Sequence, residues 1–308
     1  MKRIFIDGSA GTTGLRIQER LRERSDLTVF VLPEEKRKDP ESRRQAIAES
    51  DLAFLCLPDD AARESAALAE GSKTVLIDTS TAHRTQPGWA YGFPELSEQH
   101  YQAVQASDRI ASPGCHASGF IALIYPLIQN GLLKKDAALS CFSLTGYSGG
   151  GKKMIAQYES PERDALLHAP RQYGLTQTHK HLREMTVQTG VALPPVFCPV
   201  VGDFYSGMQV TVPLHREQLN GATLTDVQDA LQAAYASRIV FYRDCAADGF
   251  LNACALAGKD AMAVAAYGSD ERIILCAVYD NLGKGASGAA IECMNIRLGL
   301  APESGLDL

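Results

Sequence analysis

No Cys-x-x-Cys pair occurs among the eight cysteines of this 308-residue chain, which stand at 56, 115, 141, 198, 245, 254, 276 and 293. That argues against a thiolate metal site. His-Glu-x-x-His is also missing, so a helical zinc hydrolase motif is excluded. Excess positive charge is lacking: the net charge of −6 offers no basic face to nucleic acid. No apolar run reaches the length of a membrane span. The start, "MKRIFIDGSAG", lacks the long apolar core and cleavage site of a signal peptide, and the expected location is the cytoplasm. Repeats and low-complexity linkers are absent too. What remains is 45% hydrophobic and 21% charged, a globular composition long enough for one large or two ordinary domains.

The first third alternates strand-like and helix-like stretches. Strands are expected at 3–7, 27–33, 52–58 and 74–80, with helices at 15–24, 42–50 and 59–70 between them. That alternation implies parallel pairing with right-handed crossovers, a Rossmann-type doubly wound α/β sheet. Beyond it the pattern changes. Long strand-like runs at 138–149, 195–214 and 261–280, with helices at 119–133 and 222–237, predict a second α+β domain built on a mixed or antiparallel sheet. Residues 1–115 plus 285–308 are expected to form the nucleotide-binding domain, with the helix at 286–300 returning to it. Residues 116–284 are expected to form the catalytic and oligomerisation domain.

The turn after the first strand reads "GSAGTTG", with Gly8, Gly11 and Gly14 opening a helix that begins Thr12-Thr13. Glycines there let backbone N–H groups approach a pyrophosphate, and the helix N-terminus favours its charge. A glycine triplet alone is weak; strand–turn–helix context strengthens it. The second strand ends in "LPEEKRKD". Glu34 and Glu35 would suit a ribose 2′-hydroxyl, whereas Lys36 and Arg37 would suit a 2′-phosphate, and the basic pair favours NADP. A solvated charge run is the competing reading.

Three further stretches carry chemistry. "DTSTAHR" (78–84) follows the fourth strand at the carboxyl edge of the sheet, where Arg84 can fork onto a carboxylate or phosphate. A surface arginine is an equal reading. "SPGCHASG" (112–119) surrounds Cys115 with small residues and places it at a helix start, which favours the thiolate. The other cysteines sit mostly in apolar contexts and read as small buried hydrophobes. His116 is adjacent to Cys115, but sequence neighbours need not face each other, and it is not taken as the base. "THKHLREM" (178–185) offers His179 and His181. On one helix these would diverge, while His181 and Glu184 would share a face. One histidine suits acid/base work; zinc and purely structural roles are the alternatives. A cysteine, a histidine, an anion-binding arginine and a nicotinamide nucleotide together fit the reduction of an acyl phosphate through a thioester.

The strings "GSAGTTG", "LCLPDDAA", "DTSTAHR", "YGFPEL", "SPGCHASG", "GYSGGGKKMI", "HKHLREM" and "NLGKGASGAAIECMN" span nearly the whole chain. Through them it resembles the shorter branch of the N-acetyl-gamma-glutamyl-phosphate reductase family. The resemblance implies NADPH-dependent conversion of N-acetyl-glutamyl 5-phosphate to the 5-semialdehyde with release of phosphate, in arginine biosynthesis. It makes Cys115 the nucleophile and His179 the acid/base, with Tyr173 and Glu184 supporting that base. It makes Arg84 a substrate-binding residue, sets Ser148 beside the thioester and gives Asn281 the nicotinamide amide. One departure stands out: where the longer branch has proline before the glutamate, this chain has Arg183. A related aspartate-semialdehyde dehydrogenase and a non-catalytic NADP-binding regulator are the alternatives. A sheet-mediated homodimer, or a homotetramer, is expected.

Overall fold

The computed structural model describes every residue except Cys245, Ala247 and Asp248. The chain divides into two compact units. Unit 1 comprises residues 1–94, 98–114 and 286–306; unit 2 comprises 95–97, 115–285 and 307–308.

Unit 1 begins with β1 (Lys2–Asp7), α1 (Thr12–Arg22), β2 (Leu27–Phe30), α2 (Pro40–Ala48), β3 (Leu52–Leu55), α3 (Asp59–Leu68) and β4 (Val75–Asp78). It continues with β5 (Ala90–Tyr91), α4 (Glu98–Ala106) and β6 (Arg109–Ala111). The six strands are parallel, in the order β2-β1-β3-β4-β6-β5. Alternation along β1 explains why helices cover both faces. Ile4 and Ile6 enter a core with Ile17 and Leu21 of α1, while Phe5 enters a second core with Ala46 and Ile47 of α2. The last two strands are too short for a hydrophobic period to reveal, and the sequence pattern passes over them.

Unit 2 opens with α5 (Cys115–Gln129), β7 (Ser140–Gly146), α6 (Gly151–Glu159), β8 (Arg171–Gln172), α7 (His181–Thr189), β9 (Val196–Gly202) and β10 (Met208–His215). After these come α8 (Leu224–Ala234), β11 (Val240–Tyr242), β12 (Met262–Ser269) and β13 (Arg272–Tyr279). The final helix, α9 (Gly288–Arg297), belongs to unit 1, where Ile291, Met294 and Ile296 join the first of its cores.

The sheet of unit 2 runs β11-β12-β13-β10-β7-β9-β8 and is mixed. The run at 195–214 is therefore two strands rather than one. Nor do they form a hairpin: β9 pairs parallel with one edge of β7, and β10 pairs antiparallel with the other. Among the described strands, β12 and β13 form a hairpin. One sheet face is buried and packs against helices. The other carries Phe142, Val196 and Ile274 at 49%, 56% and 45% exposure.

Backbone geometry dictates some glycines and spares others. Gly8 has φ +88°, and a Cβ there would lie 2.3 Å from the Cys56 carbonyl oxygen. Gly11 has an ordinary φ of −78°, and its Cβ would meet nothing nearer than 3.6 Å. Gly8→Ala should therefore destabilise the chain by at least about 2 kcal/mol, whereas Gly11→Ala should stay within about 0.5 kcal/mol of the parent. Urea denaturation of both variants checks this; equal midpoints would contradict it.

Candidate active site

In unit 1, the glycine turn leads into α1, whose N-cap is Gly11 with no side-chain cap and no acidic residue in the first turn. The first N–H groups of the helix thus lack an internal anion. Gly14 packs close, its Cβ position 2.6 Å from the Gly8 carbonyl oxygen, so Gly8 and Gly14 are needed by the fold. A Cβ at Gly11 would meet only ordinary van der Waals neighbours, the Gly8 and Cys56 carbonyl oxygens. Asp7, at the head of the turn, is matched by Arg43 at 3.0 Å and accepts the Ser65 hydroxyl at 2.5 Å, so its charge is balanced locally. This cradle fits a dinucleotide pyrophosphate approaching Gly11, Thr12 and Thr13. Lys36 and Arg37 lie exposed in the turn after β2, with Arg37 on Glu34 at 2.7 Å.

Arg84 is buried in unit 1. Its Nε donates to the Ser112 carbonyl at 2.8 Å and an Nη donates to the Thr79 carbonyl at 3.0 Å. It is not a surface arginine; it braces the segment that leads to Cys115. The neighbouring turn is knit by Asp78, which accepts from the Ser80 amide and hydroxyl and bonds His83 at 2.7 Å.

In unit 2, Cys115 is the first residue of α5 and is partly exposed. Two features fix it. Gly285 leaves room, since a Cβ there would come within 3.1 Å of the Cys115 Cβ. The Tyr279 hydroxyl donates to the Cys115 carbonyl and accepts the Gly119 N–H at 3.0 Å.

His179 precedes α7 instead of lying on it, so it does not diverge from His181. Their rings meet edge-on at 4.7 Å, and His116 lies 5.9 Å from His179 and 5.6 Å from His181. His179 Nδ1 accepts the His181 N–H at 3.3 Å, which places the proton of the neutral ring on Nε2. Burial, with Lys180 adding to it, holds His179 below its ordinary range. Tyr173 faces His179 at 6.2 Å between rings and bonds His116 Nε2 at 2.7 Å. Burial, helped by the Cys115 charge, pushes the Tyr173 phenol up, so it remains O–H. Glu184 is buried on α7 with His181. Ser148 is buried, its hydroxyl accepting from Asn281 Nδ2 at 2.9 Å, and Asn281 Oδ1 accepts the Gly207 N–H at 3.0 Å. Among the described residues, no group of three or more His, Cys, Asp or Glu is arranged to hold a metal.

Of the other cysteines, Cys141, Cys276 and Cys293 are buried, and Cys56, Cys198 and Cys254 are partly so; Cys245 lies outside the described residues. Burial pushes the Cys56 thiol up to about 12 and the Cys141 thiol higher still, so neither forms a thiolate at neutral pH.

The residue that sequence reasoning left aside is His116. It is buried, with Nδ1 2.6 Å from Ser143 Oγ and Nε2 on Tyr173. Its place directly after Cys115 was the available signal. Desolvation, then the nearby His179, lowers it from 6.5 to about 3. The unfolded chain takes up a proton below pH 6.5 that the folded chain refuses until about pH 3. Stability therefore falls as pH drops through that window, by up to about 1.4 kcal/mol per pH unit. His116→Gln should flatten this fall, which urea midpoints between pH 6.5 and 4.5 would show; an unchanged slope would mean that His116 protonates freely.

Comparison with known proteins agrees across both units. Residues 3–104 match the family model for the semialdehyde dehydrogenase NAD binding domain, and residues 115–281 match that for the semialdehyde dehydrogenase dimerisation domain. A relative from Pseudomonas putida, N-acetyl-gamma-glutamyl-phosphate reductase 2, is 42% identical over 303 residues, 96% of each chain. The Rhizobium meliloti N-acetyl-gamma-glutamyl-phosphate reductase is 44% identical over 305 residues, 96% of this chain and 98% of its own. Aspartate semialdehyde dehydrogenase II from Vibrio cholerae shares the fold at TM-score 0.72 and 17% identity, covering 97% of this chain and 98% of its own. The Candida albicans aspartate semialdehyde dehydrogenase solved with NADP does so at 0.69 and 14%, covering 96% and 98%.

Proposed function

Because the chain belongs to the semialdehyde dehydrogenase family, on the branch of the N-acetyl-gamma-glutamyl-phosphate reductases, we propose that it reduces N-acetyl-L-glutamyl 5-phosphate to the 5-semialdehyde through a Cys115 thioester, with NADPH, in arginine biosynthesis. The observation that carries this is a partly exposed cysteine on the first residue of a long helix, beside a histidine cluster and Tyr173.

His179 takes the Cys115 proton, which requires its ring to release the His181 amide; at 3.3 Å that bond is long and cheap to break. The thiolate attacks the acyl carbon, forming C–S while the C–O bond to phosphate breaks and phosphate leaves with the electron pair. A bound reduced nicotinamide supplies the hydride that converts the thioester carbon to the aldehyde level. Cys115 then departs as thiolate, and His179 returns the proton to it. Arg84 binds an anionic group of the substrate, Glu184 supports the histidines from α7, and Ser148 lines the approach to the thioester. Gly8, Gly11, Thr12, Thr13 and Gly14 hold the pyrophosphate, Asn281 the nicotinamide amide, and Lys36 and Arg37 a 2′-phosphate. The depressed His179 moves the acid limb of the pH–rate profile below 6.5.

The test runs the reaction backwards, following reduced nicotinamide absorbance with N-acetyl-glutamate 5-semialdehyde, phosphate and NADP⁺. Turnover should depend on phosphate, exceed that with NAD⁺ and fall about ten-thousand-fold in Cys115→Ala. Turnover with aspartate semialdehyde alone would reassign the substrate. Retained activity in Cys115→Ala would remove the thioester.

The chain also assembles as a homodimer, or as a pair of such dimers, through the uncovered sheet face of unit 2. Support comes from the apolar exposure of Phe142, Val196 and Ile274 and from the dimerisation-domain match. Phe142→Asp combined with Ile274→Asp should halve the sedimenting mass while leaving the circular dichroism spectrum intact; an unchanged mass would move the interface elsewhere.

A further inference from the structure

His116 is neutral and has both nitrogens engaged, so it must give a hydrogen at one and accept at the other. Ser143, His116 and Tyr173 therefore form a directional chain. Ser143 lies 1% exposed inside the sheet on β7, and Tyr173 ends the chain half-buried, facing the His179 ring. Two directions satisfy the distances. In one, the phenol donates to His116 and turns only lone pairs outward. In the other, Ser143 donates to Nδ1, Nε2–H donates to the phenol oxygen, and the phenol O–H is left to donate outward. The helix start holds His116 one residue from Cys115, which brings the phenol bonded to His116 into the neighbourhood of that side chain, where it would feel a charge on the sulfur. Lone pairs turned towards an anion repel it, and an O–H attracts it. Each bond polarises the next in either direction, so the anion decides between them.

We propose that Ser143 and His116 are positioning residues that fix Tyr173 as a hydrogen-bond donor to the anionic centre at Cys115. The thiolate is that centre once His179 has taken its proton, and the acyl oxygen joins it as sulfur adds. No proton changes owner along the chain; Ser143 sets the imidazole tautomer, and the tautomer sets the direction of the phenol. This deepens the thioester reading of the same site and rests on Cys115 being its nucleophile.

The test compares the full-length parent with Ser143→Ala, Ser143→Thr, Tyr173→Phe and the Ser143→Ala/Tyr173→Phe double variant. Two readouts are taken. The first is the pH midpoint for alkylation of Cys115 by iodoacetamide, followed on the Cys115 peptide by mass spectrometry, which needs no turnover. The second is kcat and KM in the reverse reaction. Ser143→Ala and Tyr173→Phe should each raise the alkylation midpoint. Tyr173→Phe should lower kcat by about a hundredfold, in the range for loss of one donor to a developing anion, with KM little changed. Ser143→Ala should lower kcat by about tenfold, and the double variant should be no worse than Tyr173→Phe, because the serine acts only through the phenol. Ser143→Thr, which keeps the hydroxyl, should restore both readouts. If Ser143→Ala leaves the midpoint and kcat at parental values, or if the two losses add in the double variant, the proposal is overturned even though the reductase reading stands. If no variant, parent included, turns over the semialdehyde but the midpoints shift together, the relay holds and the proposed reaction fails.

Discussion

The Tyr279 phenol braces the first turn of α5, and the geometry around Cys115 depends on that contact. The Tyr279 hydroxyl accepts the Gly119 N–H and donates to the Cys115 carbonyl, so one side chain of the sheet grips both ends of the first helical turn. The contact needs Gly119 to lack a side chain, since a Cβ would lie 2.7 Å from that hydroxyl and 2.6 Å from Val210. Tyr279 ends β13, so the Cys115 backbone is tied to the middle of the sheet. The rest of α5 is buried along almost its full length, from His116 to Ile128, with Tyr125 the one half-exposed residue of that stretch. Cys115 and His116 thus have little freedom, and the groups that face them inherit the same rigidity.

That rigidity holds three imidazoles, those of His116, His179 and His181, against one another in unit 2. His116 remains neutral because desolvation outweighs the benefit of charge, and because His179 stands beside it. Its two bonds then hold it as a polar spacer between sheet and loop. Glycines recur wherever the backbone must come close: Gly8 against β3, Gly119 against Tyr279, Gly285 against Cys115.

Much of this was legible in the sequence, for reasons that can be stated. The parallel sheet showed itself through apolar runs such as "RIFID" and "LAFL", which parallel strands buried on both faces require. Cys115 stood out because its neighbours were small. What was not legible depended on contacts distant in sequence. β5 and β6 are two and three residues long and carry no period. The antiparallel and parallel partners of β7 could not be assigned from strand propensity, and 195–214 read as one strand because both halves are apolar. His179 and His181 meet because a turn precedes α7, where a continuous helix would have splayed them. Arg84 read equally as a surface residue or as an anion binder, and its burial against two backbone carbonyls could be seen only in the fold.

Asn281 carries a consequence of a different kind. A carboxamide can usually turn end for end at small cost, exchanging donor for acceptor. Here the Gly207 amide can only donate, so the oxygen end must face it and the nitrogen end must face Ser148. The side chain is thereby polarised in one sense for as long as the fold persists. Its neighbours meet a group of fixed sign, set by a residue that carries no charge.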